Sequence, residues 1–265
     1  MSDRQIVGIV LVKNEDLHLE RAVRNVLEFC DRIFIADHAS SDRTPAIAQE
    51  LAARHSKIEG KVIGHPGESH DFLQPSVGTA TWVFGVDGDE LYDPIGLGKL
   101  RGELLGGTYD AWWMILGNVL NCDEVDAARK TASGWLAPPC RSITKLSNFS
   151  RIDSWRGDTP ERLHGGSIVF REGCDASRRL NLFERHSWED SPLRCLHTCF
   201  VPRSSLDSAQ PLVRPNIMET YRARPLARIR RGVQRLLGRR VESDWKRSRY
   251  RRGERVTVDA SAFFP

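Results

Sequence analysis

No stretch of this 265-residue chain approaches the ~20 consecutive apolar residues that a helix needs to cross a bilayer. No CxxC pair occurs either. Cys30, Cys122, Cys140, Cys174, Cys195 and Cys199 are scattered, and His197, between the last two, does not complete a usual zinc spacing. Free thiols in a cytosolic protein are therefore expected. The fingerprints GxGxxG and GxxxxGK[ST] are missing, which argues against the usual dinucleotide fold and against a P-loop. Met1-Ser2-Asp3-Arg4-Gln5 runs directly into a strand-like segment, so no signal peptide is expected. Internal repeats and low-complexity tracts are also absent. With 40% hydrophobic and 28% charged residues, the composition is that of a globular chain with enough core to fold unaided.

What is present is an alternation of two hydrophobic periods. Ile6–Val12 is a nearly continuous apolar run suited to a strand covered on both faces. Leu17, Ala22, Val23, Val26 and Leu27 then recur at helical spacing, with Asn14 or Asp16 placed to cap the helix. Arg32–Asp37 reads as a second strand, Thr44–His55 as a second helix with Pro45 in its first turn, Lys61–Gly64 as a third strand and Trp82–Val86 as a fourth. Strand and helix alternating at this spacing predict a parallel sheet with right-handed crossovers. Further on, Leu97–Leu105 reads as a helix, and Ala111–Val119, Ile143–Leu146 and Ser167–Phe170 as strands. The segment from Asn121 to Pro139 has little periodicity and reads as an excursion or flap.

Polar residues follow the strands where open α/β folds bind ligands. Asn14-Glu15 follows the first strand and Asp37–Thr44 the second; Asp87-Gly88-Asp89-Glu90 follows the fourth. Carboxylates crowded in this way repel one another, so a site that collects them holds a divalent cation; the competing reading is a solvated acidic turn. Helix capping is the competing reading for Asn14 and Asp42.

Taken together, Val12-Lys13-Asn14-Glu15, Ile33–Thr44 and Val86–Glu90 resemble the nucleotide-sugar half of a family 2 glycosyltransferase of the GT-A fold. That family shows an NE after its first strand, a DDGSxDxT-like turn after its second and a DxD motif after its fourth. The resemblance covers residues 6–95 and extends more loosely to 205. It implies a Rossmann-like, mixed, mostly parallel α/β sheet flanked by helices, and an inverting transfer from a nucleoside diphosphate sugar, UDP-linked, to an acceptor hydroxyl. Asp37 would then bond the nucleotide base, with Asn14 and Glu15 beside the nucleoside. Asp89 would bind Mn2+ or Mg2+, and Asp87 the ribose or the metal. His38 and Ala39 depart from the DDGS pattern. Ser69-His70-Asp71 stands where the family has an Arg-Asn pair, which makes His70 a candidate for the phosphates, with a surface-loop histidine as the alternative.

The resemblance also implies a carboxylate base about a hundred residues after the DxD. Asp190 of the Glu189-Asp190 pair fits, with Asp158 and Glu161 as rivals and helix capping as the plain alternative. His197 would complete the metal shell, with His164 in reserve, against the commoner role of a core histidine. Trp155 and Trp188 are acceptor-site candidates, because aromatic faces stack on sugars, although most tryptophans pack in cores.

The net charge of +4 conceals an asymmetry. From Arg222 to Arg255 arginine dominates, and only Glu242, Asp244 and Glu254 oppose it. Within Arg224–Arg240, Leu226, Ile229, Val233, Leu236 and Leu237 share one helical face. Such a basic amphipathic helix suits an anionic membrane surface and a lipid-linked or polysaccharide acceptor, or else it docks on the domain. Nucleic acid is not expected as a partner. Lys246, Arg249 or Tyr250 would hold the donor diphosphate if the segment closes over the site, as C-terminal lids do in related transferases. The expected organisation is a domain over 1–205, with its donor half at 1–95 and its acceptor half at 96–205, followed by a basic extension over 206–265. Its expected location is cytoplasmic, peripheral at the inner face of the membrane. The competing identities are a catalytically silent carbohydrate-binding or scaffold protein at a membrane surface, and, less well supported, a sugar nucleotidyltransferase, whose glycine-rich loop after the first strand is missing here.

Overall fold

The structure is a computed structural model and describes residues 4–140, 145–156, 167–207 and 249–265. The first half alternates as its periodicity predicts: β1 (Gln5–Val12), α1 (Leu19–Val26), β2 (Arg32–Asp37), α2 (Thr44–Arg54), β3 (Ile58–Val62), β4 (Thr81–Asp87), β5 (Glu90–Tyr92) and α3 (Pro94–Leu105). Side chains along β1 alternate between two cores. Ile6, Val10 and Val12 pack with Ile33, Ile35, Phe84 and Val86 beneath the helices, while Val7, Ile9 and Leu11 pack with Phe34, Ala36 and Val83 on the other face. Burial on both faces is why β1 reads as one unbroken apolar run.

The second half adds β6 (Met114–Leu116), β7 (Asn118–Asp126), β8 (Thr131–Ala137), β9 (Lys145–Asn148), β10 (Ile152–Arg156), β11 (Ser167–Phe170), β12 (Arg179–Asn181), β13 (Arg194–His197) and β14 (Arg255–Asp259). The large sheet runs β12-β6-β9-β4-β1-β2-β3, and within it only β9 opposes its neighbours. This is the mixed, mostly parallel α/β architecture expected. The remaining strands form a second sheet, β14-β8-β7-β13-β5, and a two-stranded pair, β10-β11.

Several elements differ from their sequence reading. The single strand expected over 111–119 breaks at Gly117, where a β-carbon would stand 2.1 Å from Leu193 O, and the chain passes there from one sheet to the other. The expected flap is the β7/β8 hairpin. Its small residues hide the strand period, because Gly134 lies against Asn121 O, 2.0 Å from where its β-carbon would be. The third strand lies upstream of its predicted place and buries only Ile58, so it carries no apolar run to read. Residues 255–263, expected within the extension, belong to the folded body: β14 pairs with β8, and Phe263 is fully buried. The basic segment 224–240 lies outside the described residues. Among the described residues no helix is long and apolar enough to cross a membrane.

Candidate active site

The register of the large sheet brings the polar loops to one edge. Val12 lies opposite Asp37 and Leu11 opposite Asp87, so the residues that follow β1, β2 and β4 emerge together. The loops after β1 and β2 are laced by hydrogen bonds. Asn14 N donates to Ser40 Oγ (2.8 Å), Ser41 N to Asn14 Oδ1 (2.7 Å) and Glu15 N to Thr44 Oγ1 (2.9 Å). Asn14 and Ala39 sit in the left-handed region, at φ 52° and 47°; asparagine tolerates this readily, whereas alanine is strained there. Asp37 is 2% exposed and turns back on its own loop, accepting from Ser40 N (3.2 Å) and Ser40 Oγ (2.5 Å). Neither Asn14 nor Asp16 caps α1; its N-cap is His18, which makes no side-chain cap bond. The N-cap of α2 is Arg43, without a side-chain cap bond; Asp42, one residue earlier, accepts from Thr44 N (2.9 Å) at the helix start.

After β4 the chain turns at Gly88. Glu90 shapes this turn, its Oε2 accepting from Asp87 N (3.0 Å) and from Tyr92 Oη (2.9 Å). Asp87 is half-buried at the lip, while Asp89 points inward at 2% exposure. The Asp89 carbonyl accepts from Thr198 N (2.9 Å) and Thr198 Oγ1 (3.0 Å), which fixes the end of β13 beside it. His197 Nε2 thereby lies 3.7 Å from Asp89 Oδ2. Asn121 Nδ2 donates to Trp135 O (3.4 Å), so Asn121 Oδ1 accepts from His197 Nδ1 (3.0 Å), and this bond aims Nε2 at Asp89. A side-chain acceptor that fixes the far nitrogen is the usual support of a metal-binding histidine.

Two groups at this site escaped the sequence reading. Arg203 Nη1 lies 2.5 Å from Asp89 Oδ2 and 3.3 Å from Glu15 Oε1, making a buried ion triad. Burial works against the guanidinium's charge, but Asp89 and Glu15 more than offset it and raise its pKa. Nothing in Val201-Pro202-Arg203-Ser204 marks this arginine among 39 basic residues. Asn121 sat in a stretch that gave no strand signal. Tyr250, named as a lid residue, packs its ring 5.6 Å from that of His197. Burial, followed by the nearby Cys199, Asp87, Asp89 and Glu90, pushes its phenol well above the usual range. Beside it Arg249 is exposed, and Arg251 lies over Phe200 (4.2 Å) and Trp135 (4.9 Å).

Other candidates are placed elsewhere. Asp190 stands on the exposed turn before β13, bonded to Ser187 Oγ (2.9 Å), with Glu189 exposed beside it. His197 closes that strand at its other end, so the length of β13, about 3.3 Å per residue, separates Asp190 from the carboxylates. His70 is 3% exposed and its ring packs 4.5 Å from that of Trp155, so it is an interior residue rather than a surface-loop histidine. Trp155 and Trp188 are core residues, the latter stacked on Phe263 at 6.0 Å. Asp158, Glu161, His164 and Lys246 lie outside the described residues.

Among the described residues no group of three or more His, Cys, Asp and Glu side chains closes around a cation. The donor set fits an open site instead. Asp89 and the oriented His197 face each other across 3.7 Å, with Asp87 at the lip. Magnesium and manganese are commonly held by one or two carboxylates, with substrate phosphates completing the shell.

The glycosyl transferase family 2 profile matches residues 9–177. Curated relatives include uncharacterized glycosyltransferases of Rickettsia bellii, 26% identical over 87 residues, and of Rickettsia felis, 29% identical over 86 residues. These matches cover 33% and 32% of this chain but only 28% and 29% of the relatives. Among solved structures, glucosyl-3-phosphoglycerate synthase from Mycobacterium tuberculosis, bound to Mn2+, UDP-glucose and phosphoglyceric acid, aligns at 16% identity with a TM-score of 0.39. That alignment covers 58% of this chain and 60% of the other. The same enzyme bound to Mg2+ and UDP aligns at 19% identity with a TM-score of 0.37, covering 58% and 59%. Superpositions this loose place no residue.

Proposed function

The chain belongs to glycosyl transferase family 2, and we propose that it is a metal-assisted enzyme moving a sugar from a nucleoside diphosphate sugar, UDP-linked, to an acceptor hydroxyl with inversion. The observation that carries this reading is the convergence of Asp89 and His197 to 3.7 Å at the sheet edge where Asn14, Asp37 and Asp87 also emerge. Open α/β sheets take their ligands at that edge.

In this reading Asn14, Glu15 and Asp37 frame the nucleoside, with their loops held rigid by the Ser40, Ser41 and Thr44 bonds. Asp87, Asp89 and His197 would hold Mn2+ or Mg2+. A cation bound there would neutralise the negative charge that develops on the departing diphosphate. Tyr250 stays protonated beside the carboxylates and helps to exclude water from them. Arg249 enters from the same segment as a diphosphate partner. The base that takes the acceptor hydroxyl's proton is then one of the rival carboxylates, Asp158 or Glu161, which lie outside the described residues, rather than Asp190, placed before β13. The acceptor is a hydroxyl of a glycan, glycolipid or glycoconjugate that meets the chain on the side of the second sheet.

Calorimetry with UDP, GDP and TDP, each with and without Mn2+, tests the proposal. One nucleoside diphosphate should bind, and Mn2+ should tighten it. Failure of all three to bind, or donor hydrolysis undiminished without added metal, would overturn the reading.

A further inference from the structure

We propose that Arg203 is a resident counter-ion that makes divalent-cation binding at Asp89 conditional on the nucleoside diphosphate. The inference rests on the nucleotide-sugar reading and assigns it an order of binding. Asp89, Glu15 and Arg203 have side chains only 2%, 8% and 11% exposed, so they interact with little screening from water. Arg203 Nη1 lies 2.5 Å from Asp89 Oδ2, the same oxygen that faces His197 Nε2 at 3.7 Å. The guanidinium and a cation therefore compete for one acceptor.

The arginine's backbone is pinned on both sides. Pro202 O lies 3.0 Å from His18 Nε2, and Arg203 O accepts from Leu17 N (3.1 Å). Arg203 N donates to Asp207 Oδ2 (2.9 Å), Ser204 Oγ to Asp42 Oδ2 (2.6 Å) and Ser205 N to Asp16 Oδ1 (2.7 Å). Only the side chain is left to shift, and it pivots from a backbone moored to both nucleoside loops.

A cation arriving alone must take Asp89 from a desolvated guanidinium, leaving that charge with Glu15. A diphosphate arriving with it changes the balance, because its oxygens offer the guanidinium the planar, two-point acceptor that arginine matches. Nucleotide and metal then help each other, and linkage requires the effect to be reciprocal. A purely structural arginine would stabilise the fold without setting this coupling.

The test is titration of the full chain with Mn2+, free metal being read by electron paramagnetic resonance, with and without saturating UDP, or whichever diphosphate binds in calorimetry. In the unmodified protein the nucleotide should tighten Mn2+ binding at least about tenfold, within the usual span of coupling between sites. In Arg203→Met, Mn2+ alone should bind about tenfold more tightly, and the enhancement by nucleotide should fall about tenfold, to what direct ligation of the metal by phosphate supplies. Arg203→Lys should give an intermediate coupling, because an ammonium keeps the charge but lacks the planar, two-point match to a diphosphate, and it serves as the readout if the methionine variant does not fold. A folded variant that keeps the full coupling overturns the role of Arg203 while leaving the nucleotide-sugar reading intact. If the unmodified protein binds no nucleoside diphosphate with Mn2+, both fall together.

Discussion

Gly88 makes room for Glu15: a β-carbon built on the glycine would stand 2.2 Å from Glu15 Oε2 and 2.6 Å from Val12 Cγ1. The end of β4 therefore meets the first loop without a side chain between them, and Glu15 reaches Arg203 through that gap. Gly88→Ala should push Glu15 aside, lower stability by about 1–3 kcal/mol and weaken nucleotide binding about tenfold or more. Thermal denaturation and calorimetry on the same preparation check this, and unchanged nucleotide affinity would refute it.

The placement of Asp89 and Asp190 separates two variants that the sequence treats alike. Asp89→Ala should abolish turnover, while Asp190→Ala should keep it within about threefold, because Asp190 bonds only its local turn among the contacts found. A loss of about 10²- to 10⁴-fold in Asp190→Ala would instead restore it as the general base.

Asn121 orients His197 through Nδ1. Asn121→Leu removes that acceptor and should weaken Mn2+ binding in the presence of nucleotide by about 10- to 100-fold. Metal titration reads the effect directly, and wild-type affinity would show that His197 needs no such support.

At the other end of β5 and β13 from His197, Asp93 caps α3 by accepting from Ile95 N (2.9 Å) and also takes Arg194 Nε (2.9 Å). The two side chains of this ion pair are 5% and 14% exposed. Asp93→Ala strands the arginine and removes the cap, so it should cost about 3–5 kcal/mol. Urea denaturation measures this, and a loss below about 1 kcal/mol would contradict it.

Burial lowers the pKa of His18 below its ordinary 6.5, against the raising effect of its bond to Pro202 O. Between those two values the unfolded chain binds the proton and the folded chain does not, so stability must fall as pH drops. The contribution is complete above 6.5 and is lost as pH falls from there through the lowered folded value. His18→Gln should flatten the stability profile over that window. An equal slope in the variant would assign the acid sensitivity elsewhere.

The sequence by itself determined the first half of the fold and the acidic lip of the crevice. Ile6–Val12, Arg32–Asp37 and Trp82–Val86 announce buried strands because both faces of the sheet are covered, and side chains that end a parallel strand must share one edge. Only the tertiary structure decided what Asp89 meets there. His197, Asn121 and Arg203 come from strands and turns with no period of their own, brought in by the pairing of β13 with β5 and β7. Pairing partners are chosen by long-range packing, and small residues such as Gly117 and Gly134 act through the neighbour they admit, which no local pattern records.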